Sequence, residues 1–172
     1  MGYLLKHERV ALHERLAEYE QRQKALALDK EAAVAEGGDG WHDNSAFDAV
    51  ISDSKQLAER GRHVLRLLEE SEDIDYPDPS SRVASVGSRL HIDMFGDLVV
   101  LDLVGALEAY REIPEMIDDA EYICTSYKSP LGEAVLGCMP DQQATYSVED
   151  GRSFSVTIIE IDQNAIREAF QS

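Results

Sequence analysis

Apolar residues recur every three to four positions along two long stretches at the start of the chain, which predicts two amphipathic helices over Tyr3–Ala35 and Ser45–Ser71. A stripe along each helix is expected to face the other helix. In the first helix it comprises Leu5, Leu12, Leu16, Tyr19, Leu26 and Ala33, interrupted by Arg9, Gln23 and Lys30. In the second helix it comprises Phe47, Ile51, Ser54, Ala58, Gly61, Leu65 and Leu68. Because long helices joined by a short connection fold back on each other, we predict an antiparallel coiled-coil hairpin.

The connection between the two helices is unusually rich in glycine and in chemistry-bearing side chains. It reads Gly37-Gly38-Asp39-Gly40-Trp41-His42-Asp43-Asn44. Glycine suits the end of the first helix, and Asn44 is a predicted N-cap for the second. Hairpin packing by itself does not require carboxylates, an indole and an imidazole at a tip. The connection is therefore the first candidate for a functional site.

The rest of the chain changes character after a predicted linker at residues 72–82, which holds two prolines and an acidic run. Alternating apolar positions and glycine-containing turns predict two β-hairpins, over residues 89–104 and 144–161. Between them, Ser129 is expected to cap a short helix that Gly137 ends, and a last helix is predicted near residues 164–170. We therefore predict an α+β chain, with a helical hairpin over residues 1–75 and a small antiparallel-sheet domain over residues 82–172.

The composition is that of a folded, strongly acidic protein, with a formal net charge of −18. Residues 76–172 carry 6 Lys and Arg against 17 Asp and Glu. Non-specific binding to duplex DNA or to anionic lipid is not expected, because both need a basic surface. Cys124 and Cys138 have no metal-site spacing and are expected to be reduced. Neither a signal pattern nor a membrane-length apolar run is visible, so we expect a cytoplasmic location.

This order of parts resembles the bacterial Gre family of transcript-cleavage factors, GreA and GreB. That family carries a Ser-Pro-Leu-Gly-x-Ala-Leu-Leu-Gly segment, and here Ser129-Pro130-Leu131-Gly132-Glu133-Ala134-Val135-Leu136-Gly137 is similar to it. The family's hairpin tip reads Gly-Asp-x-x-Glu-Asn-x-x-Tyr. Gly38-Asp39 and Asp43-Asn44 resemble parts of this tip, with Phe47 in place of the tyrosine. The resemblance implies a C-terminal domain with an FKBP-like fold.

The resemblance also implies a function: a monomeric accessory factor, with no hydrolytic activity alone, whose hairpin enters the secondary channel of RNA polymerase. Asp39 and Asp43 would there help to hold a second Mg²⁺ shared with the polymerase active site, and the polymerase would cut the RNA 3′ end. Ser129 and Pro130 are implied contacts to the polymerase rim helices. Magnesium prefers hard oxygen ligands and is held weakly by one or two carboxylates, so binding is expected only in the docked complex.

Several residues keep more than one interpretation. Asp39 and Asp43 also suit ordinary turns, because aspartate bonds local backbone donors. Trp41 could stack on a base, enter an apolar notch of the partner or cover the hairpin end, and His42 could orient a water, pair with phosphate or simply face solvent. Tip contacts are assigned to Trp41, His42 and Asn44. A possible RNA-facing strip comprises Arg60, Arg62 and Arg66, which could instead form ion pairs within the helix.

The tip departs from the family pattern, because three residues rather than two separate Asp39 from the second acid, Asp43. This spacing motivates an alternative: an inhibitory secondary-channel regulator that blocks nucleotide addition without stimulating cleavage. A peptidyl-prolyl isomerase or chaperone is a different class, suggested only by the FKBP-like fold, and fold alone confers no activity. A plain coiled-coil scaffold is the last alternative, and it leaves the tip residues unexplained.

Overall fold

The computed structural model describes residues 2–36 and 45–171 of the chain. The helices are α1 (Lys6–Glu36), α2 (Ser45–Glu70), α3 (Pro130–Val135) and α4 (Ala165–Gln171). The strands are β1 (Gly2–Leu5), β2 (Ser71–Ile74), β3 (Arg89–Met94), β4 (Asp97–Val104), β5 (Met116–Ile117), β6 (Ala120–Ser126), β7 (Gln143–Ser147) and β8 (Ser153–Asp162). The predicted α+β class is confirmed.

Six strands form one sheet in the order β5-β6-β4-β3-β8-β7. Both predicted hairpins are present, as the antiparallel pairs β3–β4 and β7–β8. The pairing of β4 with β6 is parallel, so the sheet is mixed rather than wholly antiparallel. A parallel pair needs a crossover between its strands, and the long segment from Gly105 to Asp119 provides it.

Four strands of the described chain were not expected from the sequence, namely β1, β2, β5 and β6. The first four described residues form β1 and pair in parallel with β2, so α1 begins at Lys6 rather than at Tyr3. Strand β2 occupies the start of the segment predicted as a linker. Leu4 and Leu5 are almost fully buried, which explains why these apolar residues leave the helix and join the sheet domain.

The chain divides into two compact units, one formed by Met1–Arg9 with Ser71–Ser172 and the other by Val10–Glu70. The first unit is the sheet domain, whose core lies on one face of the six-stranded sheet. Alternate strand residues supply that core, among them Leu90, Ile92, Leu101, Val156 and Ile158, and Ile166 of α4 joins them. No helix in the described part of the chain is both long and apolar enough to cross a membrane.

The second unit consists of the two long helices, which lie side by side. Leu16, Tyr19 and Gln23 of α1 line the same groove, of about 300 Å³, as Leu57, Gly61 and Leu65 of α2. If the helices were parallel, the end of α1 and the start of α2 would be about 48 Å apart at ~1.5 Å per residue. The eight residues between them reach only about 32 Å when fully extended. The helices are therefore antiparallel, as predicted.

The buried stripe of α2 contains the predicted Leu68, but it also contains Leu57 and Val64, which were not predicted, and it omits the predicted Leu65. Leu57, Val64 and Leu68 are buried, whereas Leu65 is 43% exposed. The first three positions are separated by seven and four residues, which places them on one helix face, and Leu65 is rotated away from it. Adjacent apolar residues at 64 and 65 made the choice ambiguous in the sequence. On α1, the predicted Leu12 is fully buried.

Helix α3 forms where predicted and shows why its sequence contains serine, proline and glycine. The Ser129 hydroxyl accepts a hydrogen bond from the Gly132 backbone N–H at 3.0 Å, and Pro130 takes the first helical position. A Cβ at Gly132 would overlap the backbone carbonyl of Ser126. Gly132 is therefore required by close approach of two backbone segments rather than by helix propensity.

Replacing Gly132 by alanine should destabilise the sheet domain by about 2–4 kcal/mol, because backbone atoms cannot yield as a side chain can. Gly61→Ala is the matched control. Apart from the adjacent residues and the backbone of its own helix, no atom lies within 4 Å of the added Cβ, and alanine is the better helix former by about 1 kcal/mol. Thermal unfolding followed by circular dichroism should show a lower midpoint for G132A and an equal or higher one for G61A. Equal midpoints for G132A and the parent protein would contradict the assignment.

Candidate functional site

The residues of the predicted hairpin tip lie outside the described part of the chain. They are Asp39, Trp41, His42, Asp43 and Asn44. Their assignment as tip carboxylates, tip contacts and N-cap stays a prediction from the sequence. The described helices bear on it in one respect: their antiparallel packing makes residues 37–44 the connection at one end of the helix pair.

The three arginines predicted to face RNA are all exposed on α2. Arg62 and Arg66, one helical turn apart, line a surface groove of about 580 Å³ together with Glu59 and Leu65. Arg60 is two residues from Arg62, which places it on a different side of the helix. The structure therefore brings Arg62 and Arg66 together and leaves Arg60 apart from them.

The two predicted partner contacts lie at the start of α3 and differ in availability. The Ser129 hydroxyl bonds the Gly132 N–H and lies 2.7 Å from the Thr125 hydroxyl, so its polar atom is already used. Pro130 is exposed. Of the pair, only Pro130 has its side chain exposed to solvent, whereas Ser129 caps the helix that Pro130 begins.

Sequence reasoning missed a polar cluster in the sheet domain, built around Glu8. This glutamate is fully buried. Its carboxylate accepts backbone N–H groups from Leu5 at 2.8 Å, Gly105 at 2.8 Å and Ala106 at 3.4 Å. Glu8 is the third residue of α1, so the bond from Leu5 is the glutamate half of a capping box. The motif was not recognised in the sequence because residue 5 is leucine rather than the usual serine or threonine.

A chain of hydrogen bonds runs from Glu8 through its neighbours. The Tyr110 hydroxyl donates to Glu8 at 3.2 Å and lies 3.0 Å from His7 Nε2, while the Tyr76 hydroxyl lies 2.7 Å from His7 Nδ1. A single assignment satisfies all these groups: Tyr76 donates to Nδ1, and the Nε2–H donates to Tyr110. Phe170 stacks on the His7 ring with a centroid separation of 4.0 Å.

Burial controls the protonation of this cluster. It lowers the pKa of His7 to about 4, so the imidazole is neutral in the folded protein near neutral pH. It raises the pKa of Glu8, while the backbone donors and Tyr110 oppose that rise. It also raises the pKa of Tyr110, with a further contribution from the Glu8 charge. Because Glu8 is sealed from solvent and its oxygens are bonded, the cluster fixes the start of α1 within the sheet domain rather than serving a substrate.

A second, partly buried network crosses the strands β3, β4 and β6. Arg89 and Asp102 form a two-point ion pair, with nitrogen–oxygen distances of 2.7 and 2.9 Å, and the Tyr122 hydroxyl donates to the same carboxylate at 2.8 Å. Cys124 is a free thiol beside them, and burial raises its pKa to about 12. A thiol held protonated is a poor nucleophile and a poor metal ligand.

Within residues 2–36 and 45–171, no group of three or more His, Cys, Asp or Glu side chains is placed to hold a metal ion. Asp39 and Asp43 stay the metal-ligand candidates predicted from the sequence. Two aspartates offer the hard oxygens that Mg²⁺ prefers but too few of them to complete its coordination alone.

Comparison with known proteins gives two relatives with the same description. The chain is 32% identical over 96 residues to transcription elongation factor GreA of Thermomicrobium roseum, covering 55% of this chain and 56% of that protein. It is 26% identical over 132 residues to transcription elongation factor GreA of Alkaliphilus oremlandii, covering 76% of each. These relatives indicate the Gre family of transcription elongation factors. The chain spans little more than half the length of the first relative. No protein-family model matches the chain.

Two solved structures match over most of the chain. The crystal structure of GreA factor homolog 1 (Gfh1) of Thermus thermophilus is 18% identical, with a TM-score of 0.43 over 94% of this chain and 98% of that one. The elongation factor GreA/GreB of Nitrosomonas europaea is 15% identical, with a TM-score of 0.32 over 94% and 99% of the two chains.

Replacing Glu8 by alanine should destabilise the protein by about 3 kcal/mol or more, because several buried donors would lose their acceptor at once. Glu14→Ala, at an exposed position of the same helix, is the control and should change stability by less than about 0.5 kcal/mol. Chemical denaturation of both variants measures the difference. A Glu8→Ala protein as stable as the control would show that the cluster is not an anchor.

Acidification should weaken the fold through His7. The unfolded chain binds a proton on this imidazole near its ordinary pKa of about 6.5, whereas the folded protein binds it only near pH 4. The stabilisation is therefore complete above about pH 6.5 and is lost as the pH falls toward 4. Since the ring is partly in water, we expect a loss of no more than about 2 kcal/mol.

The His7→Gln protein tests this dependence, because glutamine keeps hydrogen-bonding groups but does not titrate. Glu8 affects the pH dependence in the opposite direction, because a raised pKa means that stability is lost as the pH rises. Glu8 is present in both the parent protein and H7Q, so it does not account for a difference between their slopes. The free energy of unfolding should fall more steeply between pH 6.5 and 4 for the parent protein than for H7Q. His13→Gln, at an exposed position, should keep the parent slope. Parallel slopes for all three proteins would contradict the assignment.

Proposed function

We propose that this chain is a transcription elongation factor that binds RNA polymerase and acts through the tip of its helix pair. The observation that carries the proposal is the similarity to GreA over 132 residues, combined with two antiparallel helices whose connection holds Asp39 and Asp43. The negative charge agrees with a protein partner rather than with independent binding to nucleic acid.

The described residues support this function by positioning rather than by catalysis. Leu12, Leu57, Val64 and Leu68 bury the stripe that holds α1 and α2 together, and a packed helix pair is stiffer than a single helix. The exposed Pro130 at the start of α3 is proposed to contact the polymerase surface. Arg62 and Arg66 are proposed to meet the displaced RNA strand, where guanidinium groups pair with phosphate.

The proposed chemistry at the tip belongs to the polymerase. Asp39, with Asp43 one position later than in the family pattern, would supply carboxylate oxygens beside the polymerase's own ligands. A divalent ion bound there supplies activation of a water and stabilisation of a leaving oxygen in phosphodiester hydrolysis. The two aspartates would hold the divalent ion in position, and Asn44 would cap the start of α2 next to them. Trp41 and His42 would contact the partner at the same point.

An RNA-cleavage assay tests the proposal. Stalled, backtracked elongation complexes assembled from purified polymerase and end-labelled RNA are mixed with the full chain in Mg²⁺ buffer. We expect shortened RNA, and we expect Asp39→Ala to lose at least about tenfold of the cleavage rate through a lost carboxylate contact. Asp29→Ala, at an exposed position of α1, is the matched control and should retain the parent rate.

The same assay decides between stimulation and the inhibitory alternative that the altered spacing of Asp39 and Asp43 favours. A regulator that only fills the channel would slow nucleotide addition and leave the RNA length unchanged. In that case the chain would still co-sediment with polymerase but no RNA would be cut. Stimulation of cleavage would then be wrong, and binding to polymerase would stand. Absence of co-sedimentation as well would overturn the whole proposal.

A further inference from the structure

The sheet domain has an aromatic surface at one end that the proposed function does not use. We define the aromatic patch as Phe95, Tyr146 and Phe154. The Phe154 ring lies 5.6 Å from each of the other two rings, centroid to centroid, edge-on to Phe95 and tilted toward Tyr146. Phe95 is 69% exposed. Three touching rings at a surface form a larger continuous apolar area than scattered side chains do.

The sheet register separates this patch from the predicted polymerase contacts. Strand β4 begins at Asp97, next to the patch, and ends at Val104, which pairs with Ser126 just before α3. An eight-residue strand spans about 23 Å. The aromatic patch and Pro130 therefore lie at opposite ends of the sheet and can contact different partners or different parts of one partner.

The backbone at Phe95 indicates that its ring is not there for the stability of the turn. Phe95 and Gly96 are the two central residues between β3 and β4, with φ of 63° and 93°. Two positive values identify a turn that favours asparagine, aspartate or glycine at the first position. A phenylalanine there is strained, and its edge contact with Phe154 offsets part of that strain while leaving most of the ring in water.

The charged residues around the aromatic patch indicate which kind of partner would bind there. Asp97 and Glu149, both exposed, stand at the two turns that flank it. Arg152 places its guanidinium over the Phe154 ring at 5.6 Å, held by Asp150 at 2.6 Å, and its side chain is 71% exposed. The chain's own cation thus shows that the ring face accepts a guanidinium. Because this cation is exposed, an incoming arginine or lysine can displace it.

We propose that the aromatic patch is a docking surface for a basic, partly apolar segment of a protein partner. The segment's apolar side chains would cover Phe95 and Tyr146, and a cationic side chain would replace Arg152 over Phe154. Acidic groups at the rim would favour the cation and repel phosphate, which argues against single-stranded nucleic acid as the occupant. This docking does not depend on the proposed action at the polymerase centre.

An NMR titration of the full-length, ¹⁵N-labelled chain tests the proposal with a nonapeptide that alternates arginine and leucine. Shift changes should concentrate at the patch residues and their two turns. A peptide alternating arginine and serine should bind at least about fivefold more weakly, because it lacks the apolar contact. A ten-nucleotide single-stranded RNA is titrated as the alternative occupant.

Two variants with opposite expected effects make the test sharp. Phe95→Asn suits the turn and should fold at least as well as the parent. It should weaken binding of the arginine–leucine peptide about fivefold through the lost apolar contact, because the charge is unchanged. Arg152→Gln should strengthen that binding by freeing the ring face. Arg82→Gln, an exposed arginine elsewhere in the same unit, makes the same charge change and should strengthen it less. The proposal is overturned if F95N binds like the parent, if R152Q matches R82Q, or if the RNA occupies the patch instead.

Discussion

The length of one connection constrains everything functional in this chain. Eight residues join two helices whose middles lie side by side, and they are too few to carry the chain back along a parallel partner. The helices must run antiparallel, which places the glycine- and aspartate-rich connection at one end of the pair. Apolar burial at Leu57, Val64 and Leu68 then holds this arrangement. Helix packing alone therefore requires the acidic connection to join the helices at that end, whether or not a partner is bound.

The sheet domain depends on local chemistry of a different kind. A fully buried carboxylate at Glu8 collects backbone donors from the start of α1 and from the end of β4, and a histidine held neutral by burial links two tyrosines beside it. Gly105 and Gly132 are needed where backbone segments approach too closely for a Cβ. The glycine in the family-like Ser-Pro-Leu-Gly segment is therefore explained by steric contact in this domain, independently of any partner.

Sequence patterns predicted the elements whose signals are local. The two helices, both hairpins and the serine-capped helix were visible from periodicity, turn glycines and a capping residue. Pairings between distant segments were not, because β1 with β2 and β4 with β6 have no signal in either strand alone. The Glu8 cluster was hidden for the same reason: its partners are separated by about a hundred residues in the chain.

The stripe on α2 shows a second limit, since neighbouring apolar residues at 64 and 65 fit two helix faces equally well. The predicted site could be placed only in part. Pro130, Arg62 and Arg66 are exposed and available, Ser129 is used by its own helix, and Arg60 faces another side. The residues proposed to carry the chemistry belong to the connection, and their assignment is a prediction from the sequence.

Localised cleavage from a tethered iron chelate can show where the connection between the helices lies on the polymerase. A cysteine replaces Gly40, the chelate is attached, and hydroxyl radicals are generated in a complex with a stalled polymerase; the same label at Asp29 is the reference. If the helix pair delivers its connection to the catalytic centre, the label at position 40 should cut polymerase segments that surround the active site, and the label at position 29 should cut more distant segments. Cuts confined to the outer surface of the polymerase from position 40 would contradict this placement of the connection.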